Sequence, residues 1–387
     1  MKRTVHHLFS VLFLLGVVGL LSFRVVLRQS SIQLRNQSPF LEVANFRVDN
    51  ETLLKYAAID VGEPKLKQEI EQLLEGNFRN QGRHRSFLSS GKYRIDVRAR
   101  SARGLPVQVR SPEFNQLWLS FRRHLHDWSR NRRFQSDIML DLVNELKDLM
   151  DKNGGKTEGL GRKYKSCAVV GNSGILLKTA YGNLIDSHEV VIRLNNARIG
   201  SFESKVGKKT NISFVNSNIL RLCARREGCY CHPYGADVPI VMYMCQPAHF
   251  LDFLVCNSSH KAPLIVTDAR FDVLCARIVK YYSLKRFLEI TGKDVEAWSA
   301  VHDGANFHYS SGMQAVMLAA GVCDKVSIFG FGKSAATKHH YHTNQKAELG
   351  LHDYEAEYDF YGDLVARPKV IPFISDKFRF PSVTIYQ

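Results

Sequence analysis

The stretch Ser166-Cys-Ala-Val-Val-Gly-Asn-Ser-Gly174 joins a short β-rich run to a turn that contains two glycines. The stretch Ile328-Phe-Gly-Phe-Gly332 has a similar pattern further along the chain. Glycine lets a backbone approach a phosphate, and ligands of parallel sheets bind beyond the carboxyl ends of the strands. The two stretches therefore predict the edge of a nucleotide site, although the first does not match Gly-x-Gly-x-x-Gly and the chain has no Gly-x-x-x-x-Gly-Lys-Ser/Thr motif.

From Cys167 onward, β-rich and helical runs alternate, which predicts an α/β fold with a mainly parallel sheet flanked by helices. The predicted strands are Cys167 to Val170, Val190 to Leu194, Ile212 to Val215, Val238 to Met244, Leu264 to Thr267 and Val326 to Phe331. Predicted helices include Phe271 to Tyr282 and Ser311 to Ala320.

The composition excludes a mainly disordered or collagen-like protein, because 45% of the 387 residues are hydrophobic and 23% are charged. The formal net charge is +16, and residues 79–133 carry +11 of it, with 14 Lys and Arg against three acids. A run of this kind indicates either a solvated basic segment or a binding site for a polyanion.

The amino terminus predicts a membrane anchor. The 16 residues from Leu8 to Phe23 carry no charge and, extended to Leu27, form a helix long enough to cross a thin bilayer. No small-x-small site follows, which disfavours the alternative of a cleavable signal peptide. We expect a cytosolic tail at 1–7, a signal-anchor at 8–27, a luminal basic stem at 28–133 and a luminal domain at 134–387.

Sequons and cysteines agree with an oxidising luminal compartment. Four Asn-x-Ser/Thr sequons follow the anchor and predict N-glycosylation at Asn36, Asn50, Asn211 and Asn257. All eight cysteines lie between Cys167 and Cys323. The group Cys223, Cys229 and Cys231-His232 indicates a disulfide-stapled loop; a zinc site is the alternative, but no Cys-x-x-Cys pair supports it.

Two amphipathic helices are predicted before the β-rich region. Pro64 opens one that ends before Gly76, with an apolar stripe at Leu66, Ile70, Leu73 and Leu74. A second begins near Ser136 or Asp137 and stops before Asn153, with its stripe at Ile138, Leu142, Leu146 and Leu149.

Four ordered motifs over about 190 residues resemble the sialyltransferase family, and plant sialyltransferase-like proteins in particular. The stretch from Ser166 to Gly207 resembles the long sialylmotif, and His308-Tyr-Ser-Ser-Gly312 with Cys323 to Gly332 resembles the small one. His340-Tyr-His-Thr343 lies where the family has its third motif, and His352-x-x-x-x-Glu357 matches the very small motif.

The resemblance implies a variant Rossmann-like fold, a Golgi type II membrane enzyme and a CMP-sugar donor. It assigns donor binding to Asn172, Asn195, Ser310, Ser311, Gly312 and Gly332, with Ser173, Gly174 and Glu357 as supporting motif residues. It also implies a disulfide between Cys167 and Cys323. The expected partners are a nucleotide sugar and a galactose-containing glycan acceptor, with no nucleic acid, because the basic segment is predicted to be luminal.

Glycosyl transfer needs a base for the acceptor hydroxyl and stabilising groups for the departing phosphate. His352 suits the base, because an imidazole with a pKa near 6.5 is largely neutral at neutral pH. His340 suits the departing phosphate. We expect no metal or other cofactor, because the chain lacks the Asp-x-Asp pair that holds a divalent ion on a nucleotide diphosphate.

Two departures from the family pattern leave the donor open. His342-Thr343 replaces an aromatic-then-acidic ending, and His308-Tyr309 replaces a frequent Tyr-Pro pair. The first hypothesis is inverting transfer of sialic acid or a related acidic sugar. The alternatives are transfer of galactose from UDP-galactose to arabinogalactan-type cell-wall glycans, a CMP-Kdo-dependent transferase, or a non-enzymatic, membrane-anchored polyanion-binding protein.

Overall fold

The computed structural model describes residues 49–75, 112–223, 234–257, 263–332, 337–344 and 351–387. The predicted tail, the predicted anchor and Asn36 lie outside these ranges and stay predictions. Among the described residues, no helix combines the length and the apolar character needed to cross a membrane. Residues 50–387 form one compact unit.

The core of this unit is a sheet of seven parallel strands in the order β5-β4-β3-β2-β1-β6-β7. The strands are β1 (Cys167–Val170), β2 (Val190–Leu194), β3 (Ile212–Asn216), β4 (Ile240–Tyr243), β5 (Leu264–Val266), β6 (Lys325–Phe329) and β7 (Ser382–Tyr386). The chain therefore builds the sheet outward from β1 to β5 and then crosses back, so that β6 lies on the other side of β1. The α/β prediction is confirmed.

The six predicted strands are all present, with shifted ends at four of them, β3 to β6. β6 stops at Phe329 rather than Phe331 because Gly330 adopts a positive φ of 73°, which breaks the strand. β4 is shorter than predicted at both ends. The edge strand β7 was not predicted, since its residues are mostly half-buried and lack a continuous apolar run.

Helices cover the sheet and extend before it. Those that precede β1 are α1 (Asn50–Ala58), α2 (Glu63–Leu74), α3 (Pro112–Asn131), α4 (Ile138–Leu142) and α5 (Asp148–Asn153). Those between β1 and β6 are α6 (Gly182–Asp186), α7 (Glu203–Val206), α8 (Ser217–Cys223), α9 (His249–Asn257), α10 (Ala269–Thr291), α11 (Trp298–His302) and α12 (Ser311–Val322), and α13 (Tyr354–Ala366) lies between β6 and β7. Short 3-10 turns occupy Gly174–Lys178, Val295–Ala297 and Pro368–Val370.

Helix α12 is the centre of the core. All its residues are buried, which matches a sequence that is apolar or small on every face. It packs on the strands at the middle of the sheet, so its position is set by contacts on all sides. This rigidity matters because Ser310, which caps the helix by accepting from the Met313 N–H at 3.1 Å, is a predicted donor residue.

Three helices from the segment predicted as stem pack onto the domain. Leu73 of α2 and Phe121, Leu125 and Trp128 of α3 are buried in one cluster with Phe250 of α9. Arg122, Arg123 and Arg130 lie on the exposed side of α3. The boundary between stem and domain at residue 134 stays a prediction.

The second predicted amphipathic helix contains a π-turn at Val143–Lys147 between α4 and α5. Ile138, Leu142 and Leu146 are buried as the stripe predicts, but Leu149 is 43% exposed. The prediction for Leu149 was wrong because the wider π-turn shifts every later side chain around the helix axis.

The disulfide between Cys167 and Cys323 is present, and it joins the amino-terminal ends of β1 and β6. The two cysteines are 156 residues apart in sequence and both are fully buried. Cys223 and Cys256 are also disulfide-bonded, while Cys245 and Cys275 are free; the stapled loop at Cys223, Cys229 and Cys231 stays a prediction. Cys229, Cys231 and His232 lie outside the described residues.

We expect the double variant Cys167→Ala/Cys323→Ala to lose about 2–5 kcal/mol of unfolding free energy, because the chain-entropy model assigns a large stabilisation to a long closed loop. Thermal and denaturant unfolding of the full chain would measure the loss. The control is Cys275→Ala, which removes a buried thiol without breaking a bond and should cost about 1 kcal/mol. Equal losses in both variants would contradict this account.

Candidate functional site

The candidate site lies at the carboxyl ends of β1 and β6, where the direction of chain progression across the sheet reverses. Open parallel sheets bind ligands at such a point because the loops that leave the two strands diverge there. The Gly171 N–H donates to the Phe329 carbonyl oxygen at 2.8 Å. A Cβ at Gly171 would lie 2.7 Å from the Gly330 carbonyl oxygen, so only glycine lets the two turns approach this closely.

The loop that follows β1 contains the predicted donor residues Asn172, Ser173 and Gly174. It is held by Gly332 at the end of the small motif and by Lys338 and Tyr341 at the third motif. The Ser173 hydroxyl donates to the Gly332 carbonyl oxygen at 2.6 Å. The Tyr341 N–H donates to the Asn172 carbonyl oxygen at 2.8 Å, and the Gly174 N–H donates to the Lys338 carbonyl oxygen at 3.1 Å. The predicted residues Asn172, Ser173, Gly174 and Gly332 are therefore brought together. The Asn172 Oδ1 atom accepts no hydrogen bond within the described part of the chain.

A second group surrounds the Ser311 hydroxyl at the amino terminus of α12. The amides of Asn195 and Asn216 lie 3.5 and 3.2 Å from the Ser311 Oγ atom, and the Tyr243 hydroxyl lies at 3.3 Å. Asn195 has a φ of 52°, a conformation that asparagine tolerates better than most residues. Backbone N–H groups and the helix dipole make this terminus a natural place for a phosphate.

Sequence reasoning missed Asn216 and Tyr243. Asn216 could have been identified from the sequence. Asn172, Asn195 and Asn216 each lie at or just after the carboxyl end of one of three adjacent strands. Tyr243 carried no comparable signal, since it ends β4 as one more apolar residue in an apolar run.

The third group joins the small motif to the very small motif. The Ser310 N–H donates to the Glu357 Oε1 atom at 2.7 Å, and the Ser310 hydroxyl donates to the Oε2 atom at 2.6 Å. Tyr361 donates to the same Oε2 atom at 3.4 Å. Burial raises the pKa of Glu357 to about 7, although the Ser310 donors favour its charged form. Glu357 thus holds the first turn of α13 against the start of α12.

His352 lies beside this clamp. Its Nδ1 atom is 3.0 Å from the His308 carbonyl oxygen, and its ring contacts the His308 ring edge-to-face, with centroids 4.7 Å apart. A carbonyl oxygen only accepts, so Nδ1 carries the hydrogen and the Nε2 lone pair is left available. Burial, with His308 nearby, lowers the pKa of His352 to about 4, so the ring is neutral at neutral pH. A neutral ring with an available Nε2 lone pair can accept a proton, which is what a general base must do.

His340 is connected to His352 through aromatic contacts rather than directly. It stacks on His339 at a centroid distance of 4.4 Å, and His339 packs against Tyr354, which contacts His352. Burial lowers the pKa of His340. His342, at one of the positions that departs from the family, has its pKa lowered to about 4 by burial beside His340 and Arg198.

The remaining predicted positions lie away from these groups. Asn50 begins α1 and accepts from the Tyr281 hydroxyl at 2.7 Å, Asn211 accepts from the Val191 N–H at 2.9 Å, and Asn257 ends α9. Glycosylation at the three stays a prediction. In the described ranges, no group of three or more His, Cys, Asp or Glu residues is placed to hold a metal ion.

The buried Glu357 predicts a pH dependence of stability. Its pKa is raised from 4.5 to about 7 in the folded chain, so the folded state retains a proton that the unfolded state loses. Stability should therefore fall as the pH rises from about 4.5 to 7, by on the order of 3 kcal/mol if no other group compensates. Unfolding free energies of Glu357→Gln should lack this contribution, whereas Glu355→Gln, at an exposed position on the same helix, should keep it. Parallel pH curves for the native chain and Glu357→Gln would contradict the assignment.

Comparison with known proteins gives concordant results. The model of glycosyltransferase family 29 (sialyltransferase) matches residues 112–369. A β-1,6-galactosyltransferase of Arabidopsis thaliana is 51% identical to this chain, with 100% of both chains covered. Sialyltransferase-like protein 1 of Oryza sativa subsp. indica is 48% identical over 97% of each chain. A crystal structure of a mammalian sialyltransferase aligns with a TM-score of 0.37 and 20% identity, covering 71% of this chain and 85% of that one.

The family match and the two plant relatives confirm the resemblance that the four sequence motifs indicated. The chain belongs to glycosyltransferase family 29, the sialyltransferase family, and is a glycosyltransferase.

Proposed function

We propose that this chain transfers a glycosyl group from a nucleotide sugar to a hydroxyl of a galactose-containing glycan, with inversion at the anomeric carbon and with His352 as the base. The observation that carries the proposal is the state of His352: its Nδ1 hydrogen is bound by the His308 carbonyl, and its ring is neutral with Nε2 available. A second support is the clamp between Glu357 and Ser310, which holds the helix that follows His352 at the amino terminus of α12.

The proposed step is a single displacement. The acceptor oxygen forms a bond to the anomeric carbon while the bond from that carbon to the phosphate oxygen breaks, and the hydroxyl proton passes to the His352 Nε2 atom. The leaving phosphate takes up the negative charge. Backbone N–H groups at the start of α12 and the imidazole of His340 stabilise that charge. Asn172, whose Oδ1 atom is free of partners in the described residues, supplies an acceptor for the nucleotide.

We propose UDP-galactose as the first donor to test. It is supported by the relative named a β-1,6-galactosyltransferase, which is 51% identical over its whole length. CMP-sialic acid is the second candidate, supported by the family itself and by the four sialylmotifs. CMP-Kdo is the third donor to test. The non-enzymatic alternative is set aside, because the chain belongs to an enzyme family and keeps an organised site.

We also propose that the enzyme works in the Golgi lumen as a type II membrane protein. The support is the uncharged stretch from Leu8 to Phe23, the sequons that follow it and the disulfides of the folded domain. The basic residues at 79–133 then belong to a luminal segment close to the membrane.

The variant His352→Ala should abolish transfer by at least 100-fold, because general base catalysis contributes about 10²–10⁴. Nucleotide binding should change little, since His352 contacts the acceptor hydroxyl in this mechanism. Initial rates and calorimetric nucleotide titration on the full-length chain would measure both. The matched control is His126→Ala, at an exposed histidine on α3. Retained transfer in His352→Ala would overturn the assignment of the base.

The lowered pKa of His352 predicts the acid limb of the rate profile. A base must be neutral, so activity should persist from pH 7 down to about 5 and fall as the pH approaches about 4. An ordinary imidazole would give half-loss near pH 6.5. The pH dependence of kcat/KM measures this value for the free enzyme, and a limb near 6.5 would show that His352 is exposed to water in the working enzyme.

Incubation with a panel of nucleotide sugars tests which donor the enzyme uses. The full-length chain in membranes would be incubated with radiolabelled UDP-galactose, CMP-sialic acid or CMP-Kdo and with β-galactoside acceptors, and His352→Ala would serve as the blank. We expect label in the product from UDP-galactose. Label from CMP-sialic acid alone would transfer the assignment to the second candidate, and no label from any donor would overturn the proposed function.

A further inference from the structure

We propose that Ser217 and His249 are positioning residues of the donor site: they hold the ends of β3 and β4 so that the Ser311 hydroxyl is presented as a hydrogen-bond donor to the phosphate of the nucleotide sugar. The inference deepens the proposed function and rests on Ser311 binding the donor. Neither Ser217 nor His249 belongs to the four sequence motifs, and neither takes part in the proposed chemical step.

Ser217 and His249 form a buried hydrogen-bonded pair beyond the carboxyl ends of two strands. The Ser217 Oγ atom lies 2.6 Å from the His249 Nδ1 atom, and the two residues are 0% and 1% exposed. Ser217 begins α8 directly after β3, and His249 begins α9, which follows β4. The pair therefore joins the segments that leave two neighbouring strands of the sheet.

The Ser217 hydroxyl is also bound to the backbone that follows β4. The Cys245 N–H donates to the Ser217 Oγ atom at 2.9 Å. Cys245 follows Tyr243 by two residues, and Ser217 directly follows Asn216. One hydroxyl group thus connects the two strand ends that carry Asn216 and Tyr243. A buried N–H without a partner is costly, so removal of this hydroxyl should make the two ends shift relative to each other.

The amides around Ser311 are oriented by backbone donors. The Ile219 N–H donates to the Asn216 Oδ1 atom at 3.3 Å, and the Asn216 Nδ2 atom then donates to the Ser311 Oγ atom at 3.2 Å. The Asn216 N–H in turn donates to the Asn195 Oδ1 atom at 3.2 Å, and the Asn195 Nδ2 atom lies 3.5 Å from the same Oγ atom. Both amides therefore direct N–H groups at Ser311.

This arrangement determines what the Ser311 hydroxyl can offer. A serine hydroxyl has one hydrogen and two lone pairs, and here both lone pairs face amide N–H groups. What remains is the hydroxyl hydrogen, which the Tyr243 hydroxyl oxygen at 3.3 Å can accept. A phosphate oxygen accepts it more strongly because it is charged. Ser311 is therefore prepared as a donor to an anion.

The arrangement tolerates little displacement of β3 or β4. Hydrogen bonds weaken steeply as their distance and angle depart from the optimum, and the Asn195 contact is already long at 3.5 Å. A shift of Asn216 would leave a lone pair of Ser311 without its donor, so the hydroxyl could rotate away from the phosphate. The buried pair of Ser217 and His249 prevents that shift.

The first experiment measures nucleotide affinity by calorimetry. The full-length chain and its variants would be titrated with UDP and with CMP, the nucleotides released by the two leading donors. We expect Ser217→Ala and His249→Leu to bind the nucleotide that the native chain prefers about 10-fold more weakly, which corresponds to one hydrogen bond to a charged group. His249→Asn should retain most of the affinity, because its amide lies near the position of Nδ1 and can donate or accept.

The matched control breaks another buried serine–histidine pair. The Ser327 Oγ atom lies 2.8 Å from the His188 Nε2 atom, and Ser327 is in the middle of β6. Ser327→Ala should lower the midpoint of thermal unfolding, as Ser217→Ala does, but leave nucleotide affinity unchanged. If Ser217 served stability alone, nucleotide affinity would be unchanged in both variants, and the proposal would be wrong.

A double-mutant cycle tests whether Ser217 acts through Ser311. Ser217→Ala in a Ser311→Ala background should cause no further loss of affinity, because the hydroxyl that Ser217 positions is already gone. An additive loss in the double variant would overturn the proposal, and so would a native chain that binds neither nucleotide. Failure of the proposed function would look different: nucleotide binding would still depend on Ser217, but no donor would give transfer.

Discussion

The parallel pairing of β1 with β6 is the constraint on which the site depends. These strands are neighbours in the sheet although the residues paired at their start, Cys167 and Val326, are far apart in sequence. Their register brings the turn after Val170 against the turn after Phe329, where the Gly171 N–H meets the Phe329 carbonyl. The disulfide ties the opposite ends of the same pair. Displacing either strand would separate the two turns that form the candidate site.

Further contacts attach the segment that contains His352 to this pair of strands. The helix that follows the donor serines is buried on all sides, so Ser310 has a fixed position. Glu357 binds both the N–H and the hydroxyl of Ser310 and thereby carries the segment that contains His352 to the start of α12. Glu357 is tolerated in the core because its carboxyl group accepts hydrogen bonds from the N–H and the hydroxyl of Ser310.

Burial also sets the chemistry of the histidines. The pKa values of His308, His340, His342 and His352 are all lowered, so the cluster is neutral where an exposed group of histidines would be partly charged. Neutral rings can accept protons and hydrogen bonds from sugar hydroxyls. Backbone carbonyls hold the Nδ1 hydrogens of His308 and His352, and this leaves the Nε2 atom of each ring with a lone pair.

Local sequence was enough to predict the parallel sheet, six of its strands and the glycine turns that meet after β1 and β6, because periodicity, glycine turns and motif spacing act over short distances; the roles of the predicted donor residues stay predictions. Packing determined the rest. Leu149 is exposed, against the prediction, because a π-turn precedes it. Helix α3 packs on the domain although it belongs to the basic segment, whose charge indicated a solvated chain. The contacts of Asn216 and Tyr243 with the Ser311 hydroxyl exist only in the folded chain, because they require three strands to lie beside one helix. The tautomers and lowered pKa values of the histidines depend on distant neighbours and on exclusion of water, and neither is encoded within a short stretch of chain.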